Sequence, residues 1–380
     1  MSGTRTEVQD IFRGHGDEYL ENHGPPPHVH KAVRAIRNCR TGILGGHVDS
    51  CGECDYTKIS YNSCRNRHCP KCQALAKERW LTARRGELLP VPYFHVVFTL
   101  PSELGEITMK NQELIYGLLL KTSAETIRSL ASDKKYLGAK IGLTSILHTW
   151  GQNLTFHPHI HMIVPGGGLT KDGRWVAGSK KFFIPVKAMS RLFRGKFLFH
   201  LKGVLDGLIQ NGTVENPSVF EALLSSLYQK EWYVYCKRPF KTTYSVLEYL
   251  GRYTHRIAIS NHRIISADDG KVAFKYRDYR DNGKEKVMTL ESGEFMRRFL
   301  LHILPPRFVK IRHYGFLATA VKGRELIHCF KLLGLEPEII RERPDTAELI
   351  KRLTGVDIYI CPCCGSALIR ASPDDYNLTA

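Results

Sequence analysis

Three groups of residues in this sequence have the types and spacing of working chemistry. The first is cysteine. Six of the eleven cysteines fall between residues 39 and 72 (Cys39, Cys51, Cys54, Cys64, Cys69, Cys72), and three more stand together at Cys361, Cys363 and Cys364. Cys51-Gly-Glu-Cys54 and Cys69-Pro-Lys-Cys72 are CxxC pairs with fourteen residues between the inner cysteines. A CxxC turn presents two thiolates to one ion, and two such turns complete the tetrahedral shell that zinc prefers. Cys51, Cys54, Cys69 and Cys72 are therefore expected to hold one structural Zn²⁺; the plainer alternative is a set of reduced, buried thiols. Cys39, Cys64 and His68 are further soft ligands in the same stretch, which either form a second site or substitute for one of the four. CPCCG (Cys361–Gly365) is half a site that needs partners from elsewhere, with His328 and Cys329 as candidates.

The second group is histidine. His159-Ile160-His161 lies in HIHMIV, which reads as a strand ended by Gly166–Gly168. Side chains at i and i+2 of a strand share a face, so two imidazoles can bind one metal ion from a rigid platform. An exposed histidine pair is the simpler alternative, but the flanking His157, the apolar Ile160 and the basic context favour metal. A third ligand is expected from the neighbouring strand: His148 in ILHTWG first, Gln152 nearer the turn second, His95 more distantly. The third group is a pair of tyrosines. Tyr249 and Tyr253 are four apart on a predicted helix, which places them one above the other. Such pairs usually pack a core, yet Arg252, His255 and Arg256 give this helix an end suited to phosphate. A phenolate can attack a phosphodiester and store the bond energy as a phosphotyrosine link.

These groups need elements to position them. GPPP (Gly24–Pro27) breaks a first helix, a second pattern runs over His28–Cys39, and a basic helix spans Leu75–Leu89. YFHVVFTL (Tyr93–Leu100) reads as a strand, followed by a long amphipathic helix capped by Ser102 and running to about residue 130. Gly142–Trp150 and His159–Val164 form a hairpin, 186–230 is helical, Tyr233–Lys237 is a short strand and Thr242–His255 is the tyrosine helix. Arg256–Ser260, His262–Ser266, Lys271–Arg277 and Lys286–Leu290 are successive strand-like runs, and the last third is helical. Helices and hairpins alternate without βαβ regularity, which makes the fold class α+β. The expected divisions are 1–90, 91–330 and 331–380.

Composition agrees with this chemistry. Lys and Arg number 55 against 37 Asp and Glu, a formal charge of +18, which calls for a polyanionic partner, nucleic acid above all. Between Lys58 and Arg85 eight basic residues face one acid, Glu78, so Arg65, Arg67 and Lys71 are expected at DNA, with Arg252 and Arg256 beside the tyrosines. No apolar run of transmembrane length and no secretory leader is evident, so a cytoplasmic protein is expected, and clustered cysteines then mean metal rather than disulfides.

Taken in order, the cysteine region (YNSCRNRHCPKCQ, Tyr61–Gln73), Phe98-Thr99-Leu100, LHTWGQ (Leu147–Gln152), His159-Ile160-His161 and YLGRYTHRIAIS (Tyr249–Ser260) resemble the two-tyrosine HUH rolling-circle transposases of bacterial insertion sequences. The resemblance covers nearly the whole chain. It implies an antiparallel-sheet HUH endonuclease core with helices, preceded by a small zinc-binding, DNA-binding domain. It implies that His159, His161 and a third ligand hold Mg²⁺ or Mn²⁺. It further implies that Tyr249 or Tyr253 cleaves single-stranded DNA at transposon ends, leaving a 5′-phosphotyrosine and a free 3′-hydroxyl, on the bacterial nucleoid. A non-catalytic zinc-containing DNA-binding regulator would explain the charge and cysteines but leave the histidines and tyrosines idle. A metal hydrolase using bound water would leave the tyrosines idle.

Overall fold

A computed structural model describes residues 6–179, 183–240, 243–336 and 344–370. The chain begins with α1 (Val8–His23) and α2 (Pro27–Arg37). Gly24 closes α1 in the left-handed conformation that its missing Cβ permits, and Pro27 opens α2, where its absent N–H costs nothing. A hairpin follows, β1 (Gly46–Cys51) and β2 (Thr57–Tyr61), and then α3 (Gln73–Arg85). β3 (Tyr93–Thr99) is buried along its whole length. The expected long helix is interrupted at Asn111 into α4 (Gly105–Lys110) and α5 (Gln112–Ser132), and no side-chain cap is made at Ser102.

β4 (Leu143–Trp150) and β5 (Phe156–Pro165) form the hairpin expected for the histidines, followed by a small hairpin of β6 (Gly167–Leu169) and β7 (Trp175–Ala177). Three helices, α6 (Val186–Lys202), α7 (Leu205–Gln210) and α8 (Pro217–Gln229), lead to β8 (Val234–Phe240) and the tyrosine helix α9 (Thr243–Tyr253). A meander of β9 (Ile264–Asp268), β10 (Lys271–Asp278) and β11 (Lys284–Glu291) precedes α10 (Ser292–Leu300), β12 (Ile311–Tyr314), α11 (Lys322–Leu332), α12 (Thr346–Thr354) and β13 (Leu368–Arg370). The run Arg256–Ser260 is not a strand: Ile257, Ala258 and Ile259 are buried as a loop between α9 and the meander. β12 and β13, in a region expected to be helical, both extend sheets. No helix among the described residues is long and apolar enough to cross a membrane.

The central sheet has the order β12-β4-β5-β3-β8, every pair antiparallel. Alternation along the strands sends Val96, Phe98, Ile160, Met162 and Val164 to one face, where α5, α6 and α8 cover them with Leu119, Phe193, Phe197 and Leu224. Each fully buried aromatic or aliphatic side chain here is worth about 1.5–3 kcal/mol, so this face anchors the sheet. The other face presents Tyr93, Ile146 and Ile163 to Val246, Tyr249 and Leu250 of α9, with Trp80 and Leu81 of α3 behind that helix. The result is an α+β layering in which the histidines and tyrosines share one interface.

The expected division at residue 90 does not isolate a core. Val8, Ile11, Phe12, Val33 and Ile36 of the first two helices pack with Ile264, Val272, Phe274, Phe295 and Phe299 of the meander and α10. Residue 330 falls inside α11, and the segment beyond it returns to the N-terminal hairpin, where β13 pairs with β1.

Candidate active site and metal centres

His148 and His159 are directly opposed across the β4–β5 ladder, and His161 lies two residues further along the same face. The three imidazoles come together with their ligand atoms within 4.8 Å of one another. His148 is thus the residue brought to the pair; Gln152 lies in the following turn, its carbonyl held by Arg263. Each ring is aimed by a bond on its outer side. His148 Nε2 donates to the Tyr253 carbonyl at 2.7 Å and His159 Nδ1 to the His157 carbonyl at 2.6 Å, while His161 Nδ1 meets His95 Nε2 at 2.9 Å. Those bonds fix tautomers that leave His148 Nδ1, His159 Nε2 and His161 Nε2 facing inward.

The arrangement fits a divalent cation. His159 Nε2 and His161 Nε2 are 3.1 Å apart, and adjacent ligands of an octahedral ion with bonds of about 2.1 Å are separated by about 3 Å. Burial, reinforced by the neighbouring imidazoles and by Arg256, keeps His148 and His161 far below the usual histidine range and pushes His159 down to about 4. All three are therefore neutral, with lone pairs available to metal.

Tyr249 and Tyr253 lie on this triad. Their rings stack at 4.4 Å, and the Tyr253 ring is 4.2 Å from that of His161 and 5.4 Å from that of His148. Tyr249, 9% exposed, places its hydroxyl 2.6 Å from His95 Nε2. His95, considered above only as a distant ligand, instead stands behind His161 and links the metal triad to a tyrosine. Burial and nearby Lys237 push its imidazolium down to about 3, so the ring is neutral and Nε2 can accept the phenol hydrogen; its Nδ1 is buried without a hydrogen-bond partner among the described residues. Its strand and face were legible, but its pairing with α9 depends on a packing that spacing does not encode.

The cysteines sort differently from the expected set of Cys51, Cys54, Cys69 and Cys72. Cys69 and Cys72 join Cys39, at the end of α2, and Cys64, whereas Cys51 and Cys54 join Cys361 and Cys364. The two CxxC turns cannot share one ion because β1 and β2 carry the first away from the helix-bounded second. In the Cys39–Cys64–Cys69–Cys72 group, Cys72 Sγ is 3.6 Å from Cys39 and 3.7 Å from Cys64. Sulfurs around tetrahedral zinc with bonds of about 2.3 Å are separated by about 3.8 Å, so this group fits Zn²⁺. His68 is not part of it: burial pushes it down to about 3, and its Nε2 accepts the Leu304 amide at 3.3 Å. His328 bonds the Gly173 carbonyl and Cys329 is buried against Phe316 and Phe330, so neither completes CPCCG.

Of the residues expected at DNA, two are turned inward. Arg67 donates to the carbonyls of Pro305 at 2.7 Å and Phe308 at 2.5 Å, tying the zinc module to the core. Lys71 is paired with Glu7 at 2.6 Å. Arg65 is exposed, its backbone in the left-handed region (φ 54°) so that its amide bonds Cys72. The Arg252 side chain lies outside the described residues. Arg256 sits close enough to depress all three triad histidines, and Lys310, not singled out by the sequence, donates to its carbonyl at 3.4 Å. The Trp150 ring stacks on His148 at 4.9 Å, and Phe156, half-buried, packs on the core beside His302.

Comparison with known proteins decides the lineage. Residues 142–325 match the family described as "Putative transposase", and residues 11–100 match the "Transposase zinc-binding domain". The "Putative transposase y4qJ" of Sinorhizobium fredii is 45% identical over 374 residues, 96% of this chain and 94% of that protein. The chain belongs to the two-tyrosine transposase family of bacterial insertion sequences. The transposase for insertion sequence element IS801 of Pseudomonas savastanoi pv. phaseolicola is 28% identical over 350 residues, 89% of this chain and 82% of that protein. No solved structure matches. Family membership makes DNA the partner and transposition the process, and the zinc-binding match agrees with the N-terminal thiol geometry.

Proposed function

We propose that this transposase cleaves single-stranded DNA at transposon ends and transfers the strand through a 5′-phosphotyrosine, in rolling-circle transposition on the bacterial nucleoid. The observation that carries this reading is the stacked pair Tyr249–Tyr253 lying against the His148–His159–His161 triad. A Mg²⁺ or Mn²⁺ held there would neutralise the scissile phosphate and stabilise the charge of its transition state. The chain's own residues do the rest. His157, Tyr253 and His95 aim the three ligand rings, and His95 Nε2 holds the Tyr249 hydroxyl. The attacking phenol oxygen forms a bond to phosphorus as the bond to the 3′ oxygen breaks. The phenol proton passes to a base, and the departing oxygen takes one up as a free 3′-hydroxyl. That hydroxyl can later attack a phosphotyrosine at another end, so strands are joined without ATP. Two tyrosines allow two covalent strands at once.

Single-stranded substrate is part of the same reading, carried by the resemblance to the two-tyrosine rolling-circle transposases. Arg256 and Lys310, with no carboxylate paired to either among the described residues, supply positive charge beside the triad. The test is a labelled single-stranded oligonucleotide from an insertion-sequence end, incubated with Mg²⁺ or Mn²⁺ and run in SDS. A covalent adduct is expected, abolished by Tyr249→Phe/Tyr253→Phe with zinc content unchanged. Sequence-specific duplex binding without any adduct would instead establish a non-catalytic regulator, and turnover without a covalent intermediate a hydrolase.

A further inference from the structure

We propose that Cys51, Cys54, Cys361 and Cys364 bind a structural Zn²⁺ of their own, which fastens the C-terminal segment to the N-terminal hairpin. Cys361 and Cys364 lie outside the matched zinc-binding domain, which ends at residue 100. Cys51 Sγ is 3.4 Å from Cys364 Sγ, Cys54 Sγ is 3.7 Å from Cys361 Sγ, and all four lie within 4.8 Å of one another. These separations are near the edge of a ZnS₄ tetrahedron, about 3.8 Å, and far from a disulfide bond of about 2.05 Å.

The backbone around the four sulfurs is arranged for thiolates. The Glu53 amide bonds Cys51 at 3.5 Å and the Cys363 amide bonds Cys361 at 3.4 Å. The Tyr56 and Ser366 amides do the same for Cys54 and Cys364. In every case the donor is two residues past its cysteine, so the two CxxC turns are equivalent halves although they are more than 300 residues apart. Donated hydrogen bonds favour the charged form of the sulfur, which is the form that ligates metal. The left-handed Gly365 (φ 79°) closes the second turn, and Cys363, exposed, is not in the group.

Among the described residues, the strand contact to the hairpin is slight, though Arg370 pairs with Asp49 across it. β13 is three residues long, pairs with β1 from Cys51↔Leu368 to Asp49↔Arg370, and leaves Ile369 63% exposed. A strand this short with little buried surface does not hold by itself. The fastening reaches further than the hairpin. α12 precedes it and meets α3, where Arg79 donates to Thr346 Oγ1 at 2.6 Å, and α3 supports the tyrosine helix through Trp80 and Leu81.

Metal analysis of the full-length protein, purified with thiols reduced, tests this without reference to DNA cleavage. Two zinc ions per chain are expected. Cys51→Ser/Cys54→Ser and Cys361→Ser/Cys364→Ser should each lose one ion, and the fourfold variant should still lose only one, since both pairs serve a single site. Limited proteolysis should then cut residues 344–370 at least tenfold faster in each variant, while the other ion reports an intact N-terminal fold. One zinc in the unaltered protein, two retained in the Cys361→Ser/Cys364→Ser variant, additive loss in the fourfold variant, or a Cys51–Cys364 disulfide found by mass spectrometry would each overturn the proposal.

Discussion

Gly251, between the two tyrosines, shows how closely α9 is held. A Cβ at this position would lie 2.9 Å from Leu81 Cδ1 and 3.7 Å from Leu81 Cδ2 and Lys77 Cδ. Carbon atoms in good contact are about 3.5–4.0 Å apart, so Gly251→Ala requires roughly 0.6–1 Å of give between α9 and the end of the Leu81 side chain on α3. Overpacking of this size costs about 1–3 kcal/mol, and alanine returns up to about 1 kcal/mol of helix propensity, leaving a net loss of about 0–2 kcal/mol. The melting temperature should therefore fall by only a few degrees. Adduct formation should fall much further, because a shift of about 1 Å in a reacting group can cost about 100-fold. Adding Leu81→Ala removes the obstruction: the adduct rate should recover while the melting temperature falls again. Opposite movements of rate and stability distinguish positioning from simple unfolding. A Gly251→Ala protein with an unaltered rate, or a double variant that regains none, would refute the role given to α3.

Three further outcomes are expected. His95→Phe keeps an aromatic ring but removes the bonds to His161 and Tyr249, so Mn²⁺ affinity measured by calorimetry should weaken about 10–100-fold with the zinc content unchanged. Arg256→Ala should lower single-stranded DNA affinity for all sequences alike and reduce the slope of log K against log salt by about 1. Lys310, pushed down to about 8 by burial and the Arg67 charge, carries its proton less readily in the folded than in the unfolded chain. Stability should accordingly rise between about pH 8 and 10.5, by up to about 3 kcal/mol, and be lost again as pH falls through 8; Lys310→Met should remove that rise in chemical denaturation measured across the window.

The parts of the site that lie close in sequence were legible in it. The i, i+2 histidines, the facing strand that brings His148, and the tyrosines at i, i+4 all follow from periodicities of the backbone, and the structure reproduces each. The thiol pairing was not legible, because a CxxC turn specifies two ligands and a local turn but not which distant turn completes the shell. Cys361 and Cys364 reach Cys51 and Cys54 only because β13 adds to β1. Charge misled for a similar reason: Arg67 and Lys71 lie in a basic stretch, yet carbonyls at Leu304–Phe308 and the Glu7 carboxylate claim them. The strand-like run Arg256–Ser260 is apolar because Ala258 and Ile259 are buried against the first two helices, the meander and α10, not because it joins a sheet.

The central claim is that a tyrosine of α9 takes the DNA strand covalently, and peptide mapping of the adduct addresses it directly. Trypsin cuts after Arg252, which separates the peptide of residues 242–252, carrying Tyr249, from residues 253–256, carrying Tyr253. After reaction with a single-stranded oligonucleotide and Mn²⁺, nuclease trimming and fragmentation should locate a 5′-linked nucleotide on one of these two tyrosines. A nucleotide on any other residue, or cleaved DNA with neither peptide modified, would contradict it.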